Sequence, residues 1–151
     1  MNKKTRFITQ SAIIGTLYVV LTYVSSSLGL ASGMIQIRIS EALTILPAFS
    51  SSGVWGLFIG CLCANLLTGA PLPDIIFGSL ATLLGALGTR AFGKNAFWAA
   101  FFPILSNTVI IPLVLKFAYG LKDGYFLLAF FIFLGEAASC GLLGAMLYKV
   151  I

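Results

Sequence analysis

Glu136 stands in an apolar stretch of Leu, Phe and Ala, with no cation near it in the sequence. An ionisable side chain at membrane depth costs roughly 2.5–3.5 kcal/mol on insertion scales and marks a functional site by default. It is either a protonated carboxyl bonded to a neighbouring helix or a carboxylate that faces a wet cavity and accepts from a ligand. The second reading is favoured. Arg38 and Glu41 are three residues apart, so on a helix they share one face and can pair. Such a pair either anchors a helix end or brings a cation and an acceptor to a pocket. Asn65 and Asn107 carry amides into apolar runs, and Asn107 lies four residues after Pro103 and five before Pro112. Prolines free backbone groups in a helix, and at membrane depth those groups must be covered by protein or line a water-filled cavity. Asn107 can satisfy that freed backbone or face the cavity. Asp74 follows Gly69-Ala70-Pro71-Leu72-Pro73 and suits an N-cap or first-turn position. Together these residues supply acceptors, amides and a few cations. They suit a small planar polar ligand and do not resemble an ion filter. With 13 Phe in the chain, an aromatic lining is expected.

Catalytic sets are missing. The chain has no His, no Gly-rich phosphate loop with its Lys, and no nucleophile–base arrangement. It is read as a non-enzyme without a cofactor or metal. Cys61 and Cys63 would point about 200° apart on a helix, and with Cys140 they read as buried small hydrophobes. Lacking an ATP site, the chain can move a solute actively only through an ion gradient or partner subunits.

The elements that must position these groups are helices in a bilayer. Of 151 residues, 60% are hydrophobic and 9% charged, and the mean hydropathy is +1.07. Soluble domains average about 25% charged residues. A span needs roughly 20 apolar residues, so the chain reads as one transmembrane domain over 1–151 with six helices. The pattern predicts helices at about 7–28, 39–50, 54–68, 74–89, 96–116 and 125–149, the fifth interrupted by its two prolines. The Ser25-Ser26-Ser27 run with Gly29 and Gly33 loosens the chain after the first helix, which is read as retained rather than as a signal peptide. The net charge of +5 is scattered rather than gathered into a nucleic-acid stripe. With the N-terminus inside, Lys3, Lys4, Arg6, Arg90, Lys94 and Lys149 are cytoplasmic, and Arg38, Lys116 and Lys122 are external. Six against three favours cytoplasmic N- and C-termini. In that topology Arg38, Glu41, Asn65, Asp74 and Lys116 fall on the outer side, with Asn107 and Glu136 deeper. Small residues form ridges at Gly56/Gly60, at Ala137/Gly141/Ala145 and at Ser11/Gly15, with Ala12 and Thr16 beside the last. Such ridges let helices approach closely in lipid.

The stretch Ile37-Arg38-Ile39-Ser40-Glu41-Ala42-Leu43-Thr44-Ile45-Leu46-Pro47-Ala48 resembles the QueT family. So do Gly56-Leu57-Phe58-Ile59-Gly60-Cys61-Leu62-Cys63-Ala64-Asn65-Leu66-Leu67 and Asp74-Ile75-Ile76-Phe77-Gly78-Ser79-Leu80-Ala81-Thr82-Leu83-Leu84. The resemblance implies a substrate-binding (S) component of an energy-coupling factor (ECF) transporter in a bacterial plasma membrane. Such a component captures a queuosine precursor, a 7-deazaguanine such as preQ1 or queuine, from outside. Its implied partners are a transmembrane coupling subunit and two ATPases, and nucleic acid is not among them. S components of this kind dock through Ala-xxx-Ala on helix 1, for which the nearest matches are Ser11-xxx-Gly15 and Ala12-xxx-Thr16. Against this ligand class, Glu136 would read the N–H and NH2 edge, and Asn107 or Asn65 the ring carbonyl. Glu41 or Asp74 would meet an aminomethyl cation. The alternatives are an S component for another vitamin-like heterocycle, a stand-alone proton-coupled carrier working through Glu136, and an assembly protein without a ligand.

Overall fold

A computed structural model describes residues 2–31 and 35–151. Gly33, read above as loosening the chain, lies outside the described residues. Six helices, and no strand among the described residues, follow one another. They are α1 (Lys3–Ser27), α2 (Ile39–Ala48), α3 (Ser51–Leu67), α4 (Asp74–Phe92), α5 (Ala96–Phe117) and α6 (Tyr125–Val150). The chain is all-α, and each helix falls within a few residues of its predicted range. Helices α1, α4, α5 and α6 are long and apolar enough to cross a membrane, whereas α2 and α3 are shorter apolar helices.

Local chemistry sets several boundaries. Ser50 Oγ accepts the Ser52 N–H at 3.2 Å, and Asn95 Oδ1 accepts the Trp98 N–H at 3.0 Å, capping α3 and α5. Beyond α3, Gly69 takes a φ of 70°, the left-handed conformation that glycine adopts without a Cβ penalty. The surface inverts the soluble pattern. Large apolar side chains such as Ile8, Leu17, Leu84, Leu105 and Phe126 are exposed, while Ser40, Glu41, Thr44, Asn65, Thr89 and Asn107 are buried. A contiguous apolar exterior of this kind needs a membrane or a partner to cover it.

Helix α2 is the hub. It has 3₁₀ geometry over 10 residues, roughly 20 Å at the 3₁₀ rise, against about 30 Å for a hydrocarbon core. All residues from Ser40 to Ile45 are buried, and α2 packs against each of the other five helices. Its N-terminal end is tied to α1 where the Ile39 N–H donates to Ser25 Oγ at 2.9 Å. Past its C-terminal end, Ser52 Oγ donates to Gln10 Oε1 at 3.1 Å. The chain therefore returns along α1 from the level of Ser25 to that of Gln10. The two ends of the bundle follow from similar ties. Arg90 Nη1 reaches the Pro47 and Ala48 carbonyls at 3.5 and 3.4 Å, and the Tyr148 ring lies 4.9 Å from that of Phe49. The start of α1 and the end of α6 thus share one end of the bundle with Arg90. The opposite end joins Asn65, Asp74 and Tyr119.

The α1–α3 contact is a backbone-to-backbone approach. A Cβ on Gly60 would lie 2.9 Å from the Gly15 Cα, and one on Gly56 would lie 2.8 Å from the Ser11 carbonyl. The ridges at Ser11/Gly15 and Gly56/Gly60 therefore face each other within one chain. The expectation that Pro103 and Pro112 interrupt the fifth helix is corrected, since α5 runs continuously through both. Pro103 deprives the Ala99 carbonyl of its helical donor, and Thr89 Oγ1 of α4 donates to that carbonyl at 2.8 Å.

A Gly60→Val substitution forces α1 and α3 apart and should destabilise the detergent-solubilised protein by about 1–3 kcal/mol, the usual range for overpacking. Gly124→Val is the control, because a Cβ there meets nothing within 4 Å. Thermal unfolding of the two variants should separate them clearly, and equal melting points would contradict the packing described.

Candidate solute site

A cavity of about 70 Å³ lies within the bundle, towards the end away from the chain termini. Arg38, Glu41, Asn65, Asp74, Asn107 and Glu136 all line it. Six polar residues named separately from the sequence therefore converge from α2 to α6 and the segment before α2. Lys116, grouped with them by topology, is exposed and does not line the cavity.

Glu41 comes from the hub helix and is 3% exposed. Its Oε1 accepts a short hydrogen bond from the Tyr18 hydroxyl of α1, while Oε2 has no hydrogen-bond partner. Arg38 sits just outside the helix with extended backbone, at φ −114° and ψ 112°. Arg38 thus caps α2 rather than lying within it, and the Glu41 N–H donates to the Arg38 carbonyl at 3.0 Å. The Arg38 N–H donates to Ser139 Oγ at 3.2 Å. Arg38 lines the cavity together with Glu41 and Glu136.

Glu136 Oε1 accepts from Asn107 Nδ2 at 3.0 Å, and Oε2 accepts from the Cys140 thiol at 3.2 Å. Asn107 therefore serves the carboxylate, and Thr89 serves the carbonyl freed by Pro103. Asn65 is likewise engaged, its Nδ2 donating to the Asp74 carbonyl at 3.2 Å. Asp74 is a first-turn residue whose carboxylate accepts from Tyr119 at 2.8 Å. Desolvation and then the bonded Asp74 carboxylate push the Tyr119 hydroxyl up to about 12, so this donor stays protonated at neutral pH.

Wide π turns flank the site. One covers Asp74–Gly78, and the other, Ala137–Leu143, begins directly after Glu136. Such turns are frequent at functional positions. Gly135 lets the segment before α2 lie on α6 beside Glu136, because a Cβ there would overlap the Gln36 carbonyl.

Some neighbours of the cavity were not singled out from the sequence. Tyr18 is fully buried, and its hydroxyl in the middle of an apolar helix was the signal that it needs a partner. Gln36, Cys61 and Thr82 also line the cavity, and Thr82 Oγ1 donates to Cys61 Sγ at 3.4 Å. Cys61 and Cys140 are thus buried polar partners as well as small core residues, while Cys63 faces an outer groove. The expected aromatic lining is also corrected. Among the described residues no Phe lines the cavity, whose apolar wall is Ile111, Leu115 and Ile132. Many Phe side chains, including Phe97, Phe117, Phe126 and Phe130, are exposed on the bundle exterior, where a lipid solvent is the favourable environment for them. Glu41, Glu136 and Cys140 place potential ligand atoms within 4.8 Å of one another, so they are the residues that could hold a cation.

Ser11, Ala12, Gly15 and Thr16 line a separate apolar groove of about 550 Å³ between α1 and α3. Gly15 is buried against α3, and Ser11 Oγ donates to the Ser52 carbonyl at 3.1 Å, whereas Ala12 and Thr16 are exposed.

The QueT transporter family model matches residues 8–151. The chain belongs to the QueT transporter family. This is a family of transporters and not of enzymes, and with four helices able to cross a membrane it makes the chain a membrane transport protein. The likeness noted between Ile37 and Leu84 thus extends over nearly the whole sequence. No curated protein and no solved structure matches the chain.

Tyr18→Phe removes the donor to Glu41 and leaves a buried carboxyl with two unpartnered oxygens. Leaving a buried polar group unsatisfied costs about 1–3 kcal/mol, so a melting point lowered to that extent is expected. An unchanged melting point would show that the Tyr18–Glu41 bond does not hold the hub in place.

Proposed function

We propose that this QueT family member is the S component of an ECF importer and captures a 7-deazaguanine queuosine precursor in the cavity around Glu41 and Glu136. The observation that carries the reading is the convergence of the buried Glu41 carboxyl, the half-buried Glu136 carboxyl, the buried amides of Asn65 and Asn107 and the Arg38 guanidinium on a single cavity within a lipid-facing bundle. The donor edge of a 7-deazaguanine presents an N–H and an NH2 side by side. A carboxylate accepts from both, and such charge-assisted bonds are stronger than neutral ones. In this proposal Glu136 reads that edge and Asn107 turns from Glu136 to the ring carbonyl. Asn65 remains on the Asp74 carbonyl and holds the cavity wall. Ile111, Leu115 and Ile132 cover the ring faces, and Glu41 rather than Asp74 meets an aminomethyl cation. Glu41 has the unpartnered oxygen, whereas the Asp74 carboxylate already accepts from Tyr119. A cavity of 70 Å³ holds only a few waters, so the side chains around it part when a bicyclic base displaces those waters.

The proposed topology has six passes through the cell membrane, one domain over 1–151, and both termini in the cytoplasm. Lys3, Lys4, Arg6, Arg90, Lys94 and Lys149 lie in segments at the terminal end of the bundle, and positive charge favours the inner side. The cavity then opens outward. The exposed Ala12-xxx-Thr16 side of α1 is the proposed docking ridge for the transmembrane coupling subunit, which works with two ATPases.

Thermal unfolding of the purified protein against 7-deazaguanines, guanine, riboflavin and folate tests the reading. A ligand at 100 times its Kd should add about 2.7 kcal/mol of stability, and a shift with a 7-deazaguanine alone is expected. A shift with another heterocycle would keep the importer architecture and overturn the substrate, and no shift with any compound would overturn the solute site. Glu136→Gln should weaken deazaguanine binding at least about tenfold, or 1.4 kcal/mol.

A further inference from the structure

We propose that Glu41 and Glu136 form a cation-exchange pair: they hold one proton between them in the empty site and release it when a positively charged solute binds. The inference rests on the deazaguanine reading above and extends it to the charge of the solute and its coupling to pH. The observations are geometric. Oxygens of the two carboxyl groups and the Cys140 sulfur lie within 4.8 Å of one another. Glu41 lines the cavity at 3% exposure, and its buried Oε2 has no hydrogen-bond partner.

Charge balance decides what that arrangement can bind. Every neighbouring element contributes to it. Tyr18 of α1 donates to Glu41, and Cys140 of α6 donates to Glu136 at 3.2 Å. Cys61 of α3 faces the cavity with its thiol. Helix α5 offers Asn107, which is neutral, and Asp74 of α4, half-buried as Glu136 is, has its carboxylate bonded to Tyr119 and lies outside the cluster that Glu41, Glu136 and Cys140 form. Arg38 is the cation that lines the cavity with both carboxyl groups. Two carboxylates and one guanidinium leave a net charge of −1 around a small cavity in which Glu41 is buried and Glu136 half-buried, and an uncompensated charge at such a site is costly. One proton on the pair brings the sum to zero.

An ammonium group on the solute brings the same sum to zero without that proton. On binding, the carboxyl O–H proton passes to water, both carboxylates become ionised, and the ammonium lies against Glu41 while Glu136 accepts from the donor edge. Total charge is conserved: the protonated pair and the ammonium on one side balance the ionised pair, the bound ammonium and a free proton on the other. A neutral solute leaves the proton on the pair. By linkage, release of one proton makes affinity for the cation rise with pH by up to about tenfold per unit, and affinity for a neutral analogue stays flat. The amine itself remains charged below about pH 9, as a lysine-like group does.

The test is isothermal titration of the purified full chain with 7-aminomethyl-7-deazaguanine and 7-cyano-7-deazaguanine, each in two buffers of different ionisation enthalpy. Between about pH 6 and about pH 8, one proton released per aminomethyl compound and none per cyano compound is expected. Glu41→Gln should abolish the release and shrink the preference for the amine to a few-fold. Binding of both compounds with no proton release would overturn the exchange pair and leave the deazaguanine reading standing. Failure of both compounds to bind would overturn the deazaguanine reading. The pair is then judged by infrared spectroscopy of the unliganded protein. A protonated-carboxyl band that titrates and is lost in Glu41→Gln supports the shared proton, and its absence overturns it. Correct folding of the variant is checked by its circular dichroism and elution profile.

Discussion

In a bilayer the surrounding solvent offers no hydrogen bonds, so each polar group of a spanning protein must find its partner inside the protein. The placement of α2 answers to that constraint. A 3₁₀ helix of ten residues has poorer hydrogen-bond geometry than an α-helix and is too short to face lipid from one boundary to the other. It persists because five helices sheathe it and supply bonds at its ends, from Ser25 on one side to Arg90 at the Pro47 and Ala48 carbonyls on the other. The glycine contact of α1 with α3 brings those two helices close on one side of the hub, and Thr89 completes the backbone of α5 on another.

The same arrangement builds the site. Because α2 is wholly enclosed, its one acidic residue has nowhere to go but the interior, and Glu41 is held there by Tyr18. The π turn after Glu136 and the bare surface of Gly135 let α6 and the segment before α2 converge on it. In the proposed reading, stability and recognition are therefore supported by the same groups. The polar residues facing the cavity lower the cost of burying one another, and the oxygen left unpartnered on Glu41 is the place where the fold alone does not complete that task.

Helix α1 shows how one ridge of small residues presents two faces. Ser11 and Gly15 lie against Gly56 and Gly60, where only minimal side chains permit the approach. One residue further along, Ala12 and Thr16 turn outward into an apolar groove. A helical turn of about 100° per residue separates the two faces, so the inward ridge fixes the orientation of the outward one.

Composition alone determined that this chain lives in a membrane as helices, since so few charged residues cannot cover a water-facing surface. The intervals between Ser, Gly and Pro clusters set all six helices to within a few residues, because helix ends depend on local capping and backbone freedom. The ionisable and amide residues in apolar runs were also legible, since each is expensive there and needs a reason. Their partners were not. That Arg38 lies outside the helix, that Thr89 rather than Asn107 serves the carbonyl freed by Pro103, and that Phe side chains face lipid rather than the cavity are outcomes of packing between distant segments. The meeting of Glu41 with Glu136, 95 residues apart in sequence, was likewise decided only by tertiary structure. Local sequence specifies which groups must be satisfied, and only the packing of the bundle decides which of them satisfy one another.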